Sequence, residues 1–235
     1  IGELSLNGEV KKVNGVLPIL IAAKEKGYKH FIIPQANYFE ASFIEGITVN
    51  TVSSLFELVE SYKNSDKKLK LVEASNFEKL KNEKSTQSMD MKNVKGQFSA
   101  KRALEIAAAG GHNILMIGPP GSGKTMLAKC FPSILPDMTF EEALETTALH
   151  SVYGDMNFDG VVTSRPFVTP HHTASSVSLI GGGASIKPGL ISLAHNGVLY
   201  LDEMPEYPRS TLECLRQPLE DGVVTVSRAR GNVRY

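Results

Sequence analysis

Residues 118–125, with the sequence GPPGSGKT, combine three glycines, two prolines, a lysine and two hydroxyl side chains. Glycines allow backbone N–H groups to turn toward one point and form a nest for phosphate oxygens. The loop follows the apolar run HNILMIG, which predicts a buried strand, and precedes a predicted helix that directs its positive end at the same point. The complete pattern G-x-x-x-x-G-K-[ST] in this context predicts a nucleotide site.

The chemistry of this loop assigns its side chains. We expect Lys124 to reach the β- and γ-phosphates and the Thr125 hydroxyl to ligate Mg²⁺, so the predicted cofactors are ATP and Mg²⁺. The predicted cofactor-binding residues of this segment are Gly118, Pro119, Pro120, Gly121, Ser122, Gly123, Lys124, Thr125 and Met126.

A second motif, VLYLDE at residues 198–203, places two carboxylates at the end of an apolar strand. Ligands of open α/β sheets bind at the carboxyl ends of strands. Asp202 is therefore predicted to hold the metal, directly or through water. Glu203 is predicted to orient and deprotonate the attacking water, so that Glu203 and Lys124 are the catalytic residues.

Short strands and helices alternate over residues 1–60. GVLPILIAAKEKGY predicts a helix that ends at Gly27, and HFIIP predicts a buried strand. NYFEASFIEG predicts a helix with Asn37 as its N-cap, ITVNTV predicts a strand, and SSLFELVESY predicts a serine-capped helix. This order predicts a layered α/β unit.

Residues 61–92 hold eight lysines against five acids, with few large apolar side chains. They predict a polar interdomain linker, with a basic arm that touches DNA as the alternative. A second α/β unit begins at residue 93 with the helix SAKRALEIAAAG, and KTMLAKCF follows the loop as a helix. After the strand GVLYLDE, RSTLECLRQPLEDG predicts a helix and VVTVSRARGNVRY a hairpin with its turn near Gly231 and Asn232.

Composition narrows the class of protein. The chain of 235 residues is 42% hydrophobic and 21% charged, with a formal net charge of zero, which gives no support to nonspecific binding of nucleic acid. Its two cysteines show no metal spacing, which favours a reduced, intracellular protein. No apolar run has the length of a membrane span and no signal peptide opens the chain, so we expect a cytoplasmic protein with no membrane partner.

Two further features each have two interpretations, and a third has one. The pair His171-His172 is either part of a metal site, with Asp155, His150 or His195 as further ligands, or a structural loop, which we favour. Arg228 and Arg230 on the hairpin either contact nucleic acid or are solvated. Cys130 and Cys214 are expected to be packing residues.

Four segments together resemble one family, the magnesium-chelatase-like AAA+ ATPases, and in particular its bacterial YifB/ComM branch. These are AKRALEIAAAGGHNILMIGPPGSGKTML with the preceding NVKGQ, RPFVTPHHTASSVSLIGGG, PGLISLAHNGVLYLDEMPEY and LRQPLEDGVVTVSRA. The resemblance implies a hexameric ring with ATP between subunits. It also implies adenine contacts from Val94, Gly96 and Gln97, a helix-2 insert, a terminal pre-sensor-1 hairpin, and DNA branch migration in natural transformation as the activity of a helicase-type motor.

Residues 1–62 resemble the C-terminal part of a Lon-protease-type domain. The catalytic lysine that such proteases have one turn before the matching Ala22-Ala23 is missing from residues 16–19, so peptidase activity is not expected. The predicted organisation is this partial Lon-type α/β domain, a polar linker at 63–92, and a P-loop AAA+ core at 93–235 that ends before sensor 1.

Two departures from the family pattern bear on activity. The arginine that the family has in the turn before PHHT is absent from residues 167–169. The resemblance also implies that the sensor-1 asparagine, the arginine finger, the sensor-2 arginine and a cysteine cluster lie beyond Tyr235. Since an arginine finger contributes about 10³–10⁵ in rate, we expect this piece to bind ATP but hydrolyse it poorly.

The function we favour from the sequence is an ATP-hydrolysing ring motor that acts on DNA. One alternative is the ATPase subunit of a magnesium chelatase, or a protein-remodelling motor. Another is a noncatalytic regulator that only binds nucleotide, which intact Lys124, Thr125, Asp202 and Glu203 disfavour.

Overall fold

The computed structural model describes residues 1–64, 66–83, 89–154, 160–183, 186–228 and 231–235. The helices are α1 (Val16–Glu25), α2 (Tyr38–Ala41), α3 (Leu55–Lys63), α4 (Phe77–Glu83), α5 (Phe98–Gly110), α6 (Lys124–Cys130), α7 (Phe140–Tyr153), α8 (Ser176–Ile180), α9 (Leu190–Leu193), α10 (Arg209–Glu213) and α11 (Arg216–Asp221). The strands are β1 (Glu3–Leu4), β2 (Val10–Lys11), β3 (His30–Pro34), β4 (Thr48–Val52), β5 (Lys70–Leu71), β6 (Phe167–Val168), β7 (Gly181–Gly182), β8 (Lys187–Pro188), β9 (Val198–Leu199), β10 (Thr225–Arg228) and β11 (Gly231–Arg234). Short 3₁₀ helices span Gln35–Asn37, Met91–Asn93, Phe131–Ile134 and Met204–Glu206.

The chain forms two compact units of mixed α/β structure. Unit 1 comprises residues 1–80 and 143–162, and unit 2 comprises residues 81–142 and 163–235. Strand β5 lies inside the range predicted to be a linker and pairs with β4 of unit 1. The predicted domain boundaries at residues 62 and 93 stay a prediction.

Unit 1 is built on a three-stranded sheet. Strands β3 and β4 are parallel, from His30 opposite Thr48 to Pro34 opposite Val52, and β5 is antiparallel to β4. Strands β3 and β4 are rich in β-branched residues, which pack well on a pleated surface. One cluster of the core comprises Val16, Leu20, Ile33, Ala41 and Val49.

The predicted helices and strands of residues 15–63 are present in unit 1, with one correction. Helix α3 is capped as predicted, because the Ser54 side chain accepts a hydrogen bond from the Glu57 backbone N–H. Hydrogen bonds from the Ser53 side chain and backbone lower the pKa of Glu57. The helix predicted after Asn37 is only one turn long, and the Asn37 side chain does not cap it.

Asn37 instead joins a buried polar network in unit 1. Its Nδ2 donates to the Val13 carbonyl at 2.9 Å and to Glu40 Oε1 at 2.7 Å. Glu40 Oε2 accepts from Ser151 Oγ at 2.5 Å and from the Leu17 backbone N–H at 3.4 Å. This carboxylate is 3% exposed, and each of its oxygens has a donor. An unpaired buried charge is costly, so Glu40 needs these donors. Because two of them belong to α1 and α7, the Glu40 carboxylate of α2 links the three helices.

Unit 2 contains the phosphate loop and the second motif. Helices α5 and α6 pack around the buried residues Met91, Val94, Leu104, Leu127 and Cys130. Strands β6 and β9 are parallel, and β10 and β11 form the predicted antiparallel hairpin. The register pairs Arg228 with Gly231. Gly231 and Asn232 therefore lie at the start of β11, and the turn predicted near them falls on residues outside the described part of the chain.

Two elements predicted for unit 2 differ in the structure. The segment HNILMIG has no strand in this structure, and Leu115 and Ile117 in it are 72% and 88% exposed, so the prediction of a buried strand is wrong. The predicted helix RSTLECLRQPLEDG is broken into α10 and α11. The ring of Pro218 would clash with the carbonyl of Cys214, four residues earlier, in one continuous helix.

Candidate nucleotide-binding site

The loop at residues 118–125 adopts a conformation that glycine permits. Gly121 and Gly123 have φ values of 75° and 86°, in the left-handed region that other residues rarely adopt. Helix α6 begins at Lys124, directly after this turn, with Gly123 as its N-cap. The loop and the helix terminus therefore lie together, which is the arrangement that binds phosphate oxygens in proteins.

The ammonium group of Lys124 is hydrogen-bonded to the backbone of its own loop. Its Nζ donates to the carbonyls of Gly118 and Pro119 at 2.9 and 3.0 Å. An ammonium group has three N–H donors. With both carbonyls bound, one donor of Lys124 therefore remains for a phosphate oxygen.

Ser122 connects the loop to the segment before α5. Gln97 Nε2 donates to the Ser122 carbonyl at 3.0 Å. The Ser122 hydroxyl is buried and has no hydrogen-bond partner among the residues that the structure describes. Because buried polar atoms are almost always paired, this hydroxyl is an unused donor beside the nest of the loop.

An apolar cavity of about 340 Å³ lies beside the same loop. Small side chains of α5, Ala100 and Ala103, line one part of it, and Leu115 and Leu127 line another. Gln97, Ser122 and Lys124 add polar atoms to its lining. An apolar hollow with a few polar groups next to a phosphate nest is suited to the flat base of a nucleotide.

The two sequence motifs meet at Thr125 and Asp202. Thr125 Oγ1 donates to Asp202 Oδ2 at 3.0 Å, although the residues are 77 positions apart in the chain. The other carboxylate oxygen, Asp202 Oδ1, accepts from the Tyr200 hydroxyl at 3.0 Å and from the Glu203 backbone N–H at 3.1 Å. Burial raises the pKa of the Tyr200 hydroxyl, and the neighbouring Asp202 carboxylate raises it further.

Glu203 lies next to this pair and faces a histidine. Its backbone is left-handed, with φ of 52°, and its side chain is 67% exposed. Its carboxylate lies 3.6 Å from His172 Nδ1, and the ring centroids of His171 and His172 are 4.1 Å apart. PHHT therefore lies beside the second motif, within unit 2.

The residues present fit a magnesium ion. Thr125 supplies a hydroxyl and Asp202 a carboxylate, both hard oxygen donors of the kind that Mg²⁺ prefers, and their contact places them side by side. Mg²⁺ usually takes only one or two protein ligands and completes its coordination with water and phosphate oxygens. Two protein oxygens beside a phosphate nest meet that requirement.

Of the other predicted site residues, Gln97 lines the cavity beside the loop, and the rest lie elsewhere or outside the described part of the chain. Val94 is buried in the core of unit 2, while Gly96 and Gln97 lie in left-handed conformations just before α5. No group of three histidine, cysteine or acidic side chains among the described residues could hold a metal, and Asp155 lies outside them. Arg230 and the side chain of Arg228 also lie outside the described part.

Tyr200 is the residue of this site that the sequence prediction omitted. It precedes Asp202 by two positions, and residues two apart on an extended chain point to the same side. That spacing was the available signal.

No helix in the described ranges has the length and apolarity to cross a membrane.

Comparison with known proteins gives a consistent set of matches. The family model described as magnesium chelatase, subunit ChlI matches residues 90–235, and a second, described as subunit ChlI of Mg-chelatase, matches residues 1–37. The chain is 44% identical over 236 residues to competence protein ComM of Haemophilus influenzae, across 100% of this chain and 46% of ComM. It is 41% identical over 238 residues to YifB of Escherichia coli, across 100% of this chain and 45% of YifB.

A shorter match covers about a quarter of the chain. Lon protease of Borrelia duttonii is 41% identical over 63 residues, which are 26% of this chain and 7% of that protease. The chain spans about half the length of ComM and YifB.

Proposed function

Because this chain belongs to the magnesium chelatase subunit ChlI family, we propose that it binds MgATP at residues 118–125 and forms the nucleotide-binding part of an AAA+ ATPase. The observation that supports this most directly is the 3.0 Å contact between Thr125 and Asp202. It joins the phosphate loop to the strand-end carboxylates. Neither motif alone would require the other to lie beside it.

The side chains then have distinct roles in hydrolysis. Backbone N–H groups of the loop and the Lys124 ammonium bind the phosphates, and the Thr125 hydroxyl and Asp202 hold Mg²⁺. The metal neutralises charge on the phosphate oxygens when it is bound. Glu203 orients a water molecule and accepts its proton, for which its exposed carboxylate has to turn away from His172 toward the phosphates.

The larger activity we propose is a homo-oligomeric ring motor, hexameric as in the family, that acts on DNA as a branch-migration helicase. Support comes from the relative whose name is competence protein ComM and from the terminal hairpin of β10 and β11. With a net charge of zero, the chain offers no general attraction to DNA, so contact would depend on a local surface.

Nucleotide binding is tested with a fluorescent ATP analogue in the presence of Mg²⁺. We expect saturable binding by the chain and its loss, by about a hundredfold in Kd, in Lys124→Ala, since the variant leaves the phosphates without their ammonium partner. Lys129→Ala is the matched control, because Lys129 is an exposed lysine on the same helix. Equal affinity of Lys124→Ala and the wild type would contradict the proposed site.

The motor function is tested by ATP turnover of the complete gene product, alone and with single-stranded, duplex and four-way-junction DNA. We expect DNA to stimulate turnover and Lys124→Ala to abolish the stimulation. Turnover that is fast and indifferent to every DNA would contradict action on DNA.

The family models themselves favour a second candidate, the ATPase subunit of a magnesium chelatase, because both are described by that enzyme. ATP turnover stimulated by a porphyrin and not by DNA would support this candidate.

A further inference from the structure

We propose that Tyr200 is a positioning residue for magnesium, which fixes the Asp202 carboxylate in the orientation that the metal site requires. The inference rests on the proposed function, because it concerns the metal that accompanies ATP. Tyr200 itself touches neither metal nor nucleotide in this assignment. It acts on the metal through Asp202.

The ring of Tyr200 is held by the neighbouring strand. Parallel pairing of β6 and β9 continues through a hydrogen bond from the Tyr200 backbone N–H to the Val168 carbonyl at 2.9 Å. The ring stacks on Phe167, with centroids 6.0 Å apart and an interplanar angle of 21°. Gly197 permits this close pairing, because a Cβ there would meet the Pro166 carbonyl oxygen at 2.1 Å. The phenol ring therefore has little freedom to move.

The hydroxyl at the end of this ring is directed at the metal pair. It donates to Asp202 Oδ1 at 3.0 Å and lies 3.5 Å from Thr125 Oγ1. Asp202 itself lies in a turn after the end of β9, beyond the strand pairing with β6. With Oδ1 bound by Tyr200 and by the Glu203 N–H, the carboxylate plane is fixed and Oδ2 faces Thr125.

This arrangement gives each carboxylate oxygen one task. Oδ1 is anchored to the protein, and Oδ2 is the oxygen beside the second predicted ligand. Hydrogen-bond partners of this kind orient metal-binding carboxylates, and their loss typically lowers metal affinity by about 10–100-fold. Without the Tyr200 hydroxyl, the Glu203 N–H alone would hold Oδ1, and Asp202 could rotate away from Thr125.

The experiment compares two variants that each remove one hydroxyl oxygen and keep the ring. Tyr200→Phe removes the hydroxyl bound to Asp202. The matched control is Tyr207→Phe, whose hydroxyl is also hydrogen-bonded within unit 2 but donates to the Pro170 carbonyl at 2.7 Å and is more deeply buried. Binding of a fluorescent ATP analogue is measured as Mg²⁺ is titrated and again in EDTA, and folding is checked by circular dichroism.

For Tyr200→Phe we expect the Mg²⁺ concentration at half-maximal binding to rise about tenfold or more, with affinity in EDTA unchanged. Tyr207→Phe should leave the Mg²⁺ requirement as in the wild type. Equal Mg²⁺ requirements of Tyr200→Phe and the wild type would overturn the inference and leave the proposed function intact. Equal rises in both variants would also overturn it, since they would reflect lost stability. A wild-type chain that binds no nucleotide would overturn both.

Discussion

Glu203 combines an exposed side chain with a left-handed backbone, directly after the carboxylate predicted to hold the metal. We predict that Glu203→Gln in the complete gene product lowers ATP turnover by about 10²–10⁴-fold, because an amide cannot accept the proton of the attacking water. Affinity for ATP should change by less than about twofold, since the residue does not bind phosphate. Steady-state turnover and equilibrium binding measure the two effects separately.

The control for this variant is Glu206→Gln, which removes a charge from the 3₁₀ helix that begins after Glu203. It should leave both quantities unchanged. Hydrolysis that survives in Glu203→Gln would show that another group is the base.

At this scale the roles of the site residues stay predictions, but the structure brings two of the residues together. Thr125 and Asp202 were assigned to the metal separately, and their side chains are in contact in the structure. The hydrogen bonds of Tyr200, of the Ser122 carbonyl to Gln97 and of Lys124 to its own loop were not predictable, because each depends on the conformation of neighbouring segments.

Among the elements, α7 provides Ser151, whose hydroxyl donates to the buried Glu40 carboxylate. We predict that Ser151→Ala destabilises unit 1 by about 1–3 kcal/mol, because it removes a donor from a buried charge. Ser42→Ala is the matched control. Ser42 is also buried, but its hydroxyl donates to the Phe39 carbonyl within its own turn. Removing that hydroxyl therefore takes no hydrogen-bond donor from a carboxylate.

Urea unfolding of both variants measures the difference. A Ser151→Ala protein that unfolds like Ser42→Ala would mean that the Leu17 and Asn37 N–H groups suffice for Glu40.

Helices were predicted better than strands, for a physical reason. A helix such as α1 or α3 satisfies its own hydrogen bonds, so local periodicity and capping residues are enough to find it. A strand exists only with a partner. Residues 112–118 are as apolar as a buried strand, but no described segment pairs with them. The prediction of a single helix at residues 209–222 failed because it ignored the i−4 clash of Pro218.

On the scale of the whole molecule, the sequence resemblance identified the family correctly, and the mixed α/β class is confirmed. It did not predict that unit 1 is discontinuous. Residues 143–162 lie between the two nucleotide motifs in the chain, yet they pack with residues 1–80. The Gly15 N–H, for example, is hydrogen-bonded to both the carbonyl and the hydroxyl of Ser151.

This discontinuity makes a prediction about fragments. Residues 1–80 alone should lack a cooperative unfolding transition, because Glu40 loses Ser151 and the buried contacts of residues 143–162 are missing. A peptide of residues 143–162 added in trans should restore the transition, and a scrambled peptide of the same composition should not. Near-ultraviolet circular dichroism during urea titration measures this. A cooperative transition of 1–80 without the peptide would contradict the prediction.

The same discontinuity sets an order of events during synthesis of the chain. A ribosome that adds about 5–20 residues per second completes Val162 about 4–16 seconds after Leu80. In that interval the phosphate loop is made, although it belongs to unit 2. Residues 1–80 must therefore remain without the contacts of residues 143–162 until after the nucleotide loop has been made.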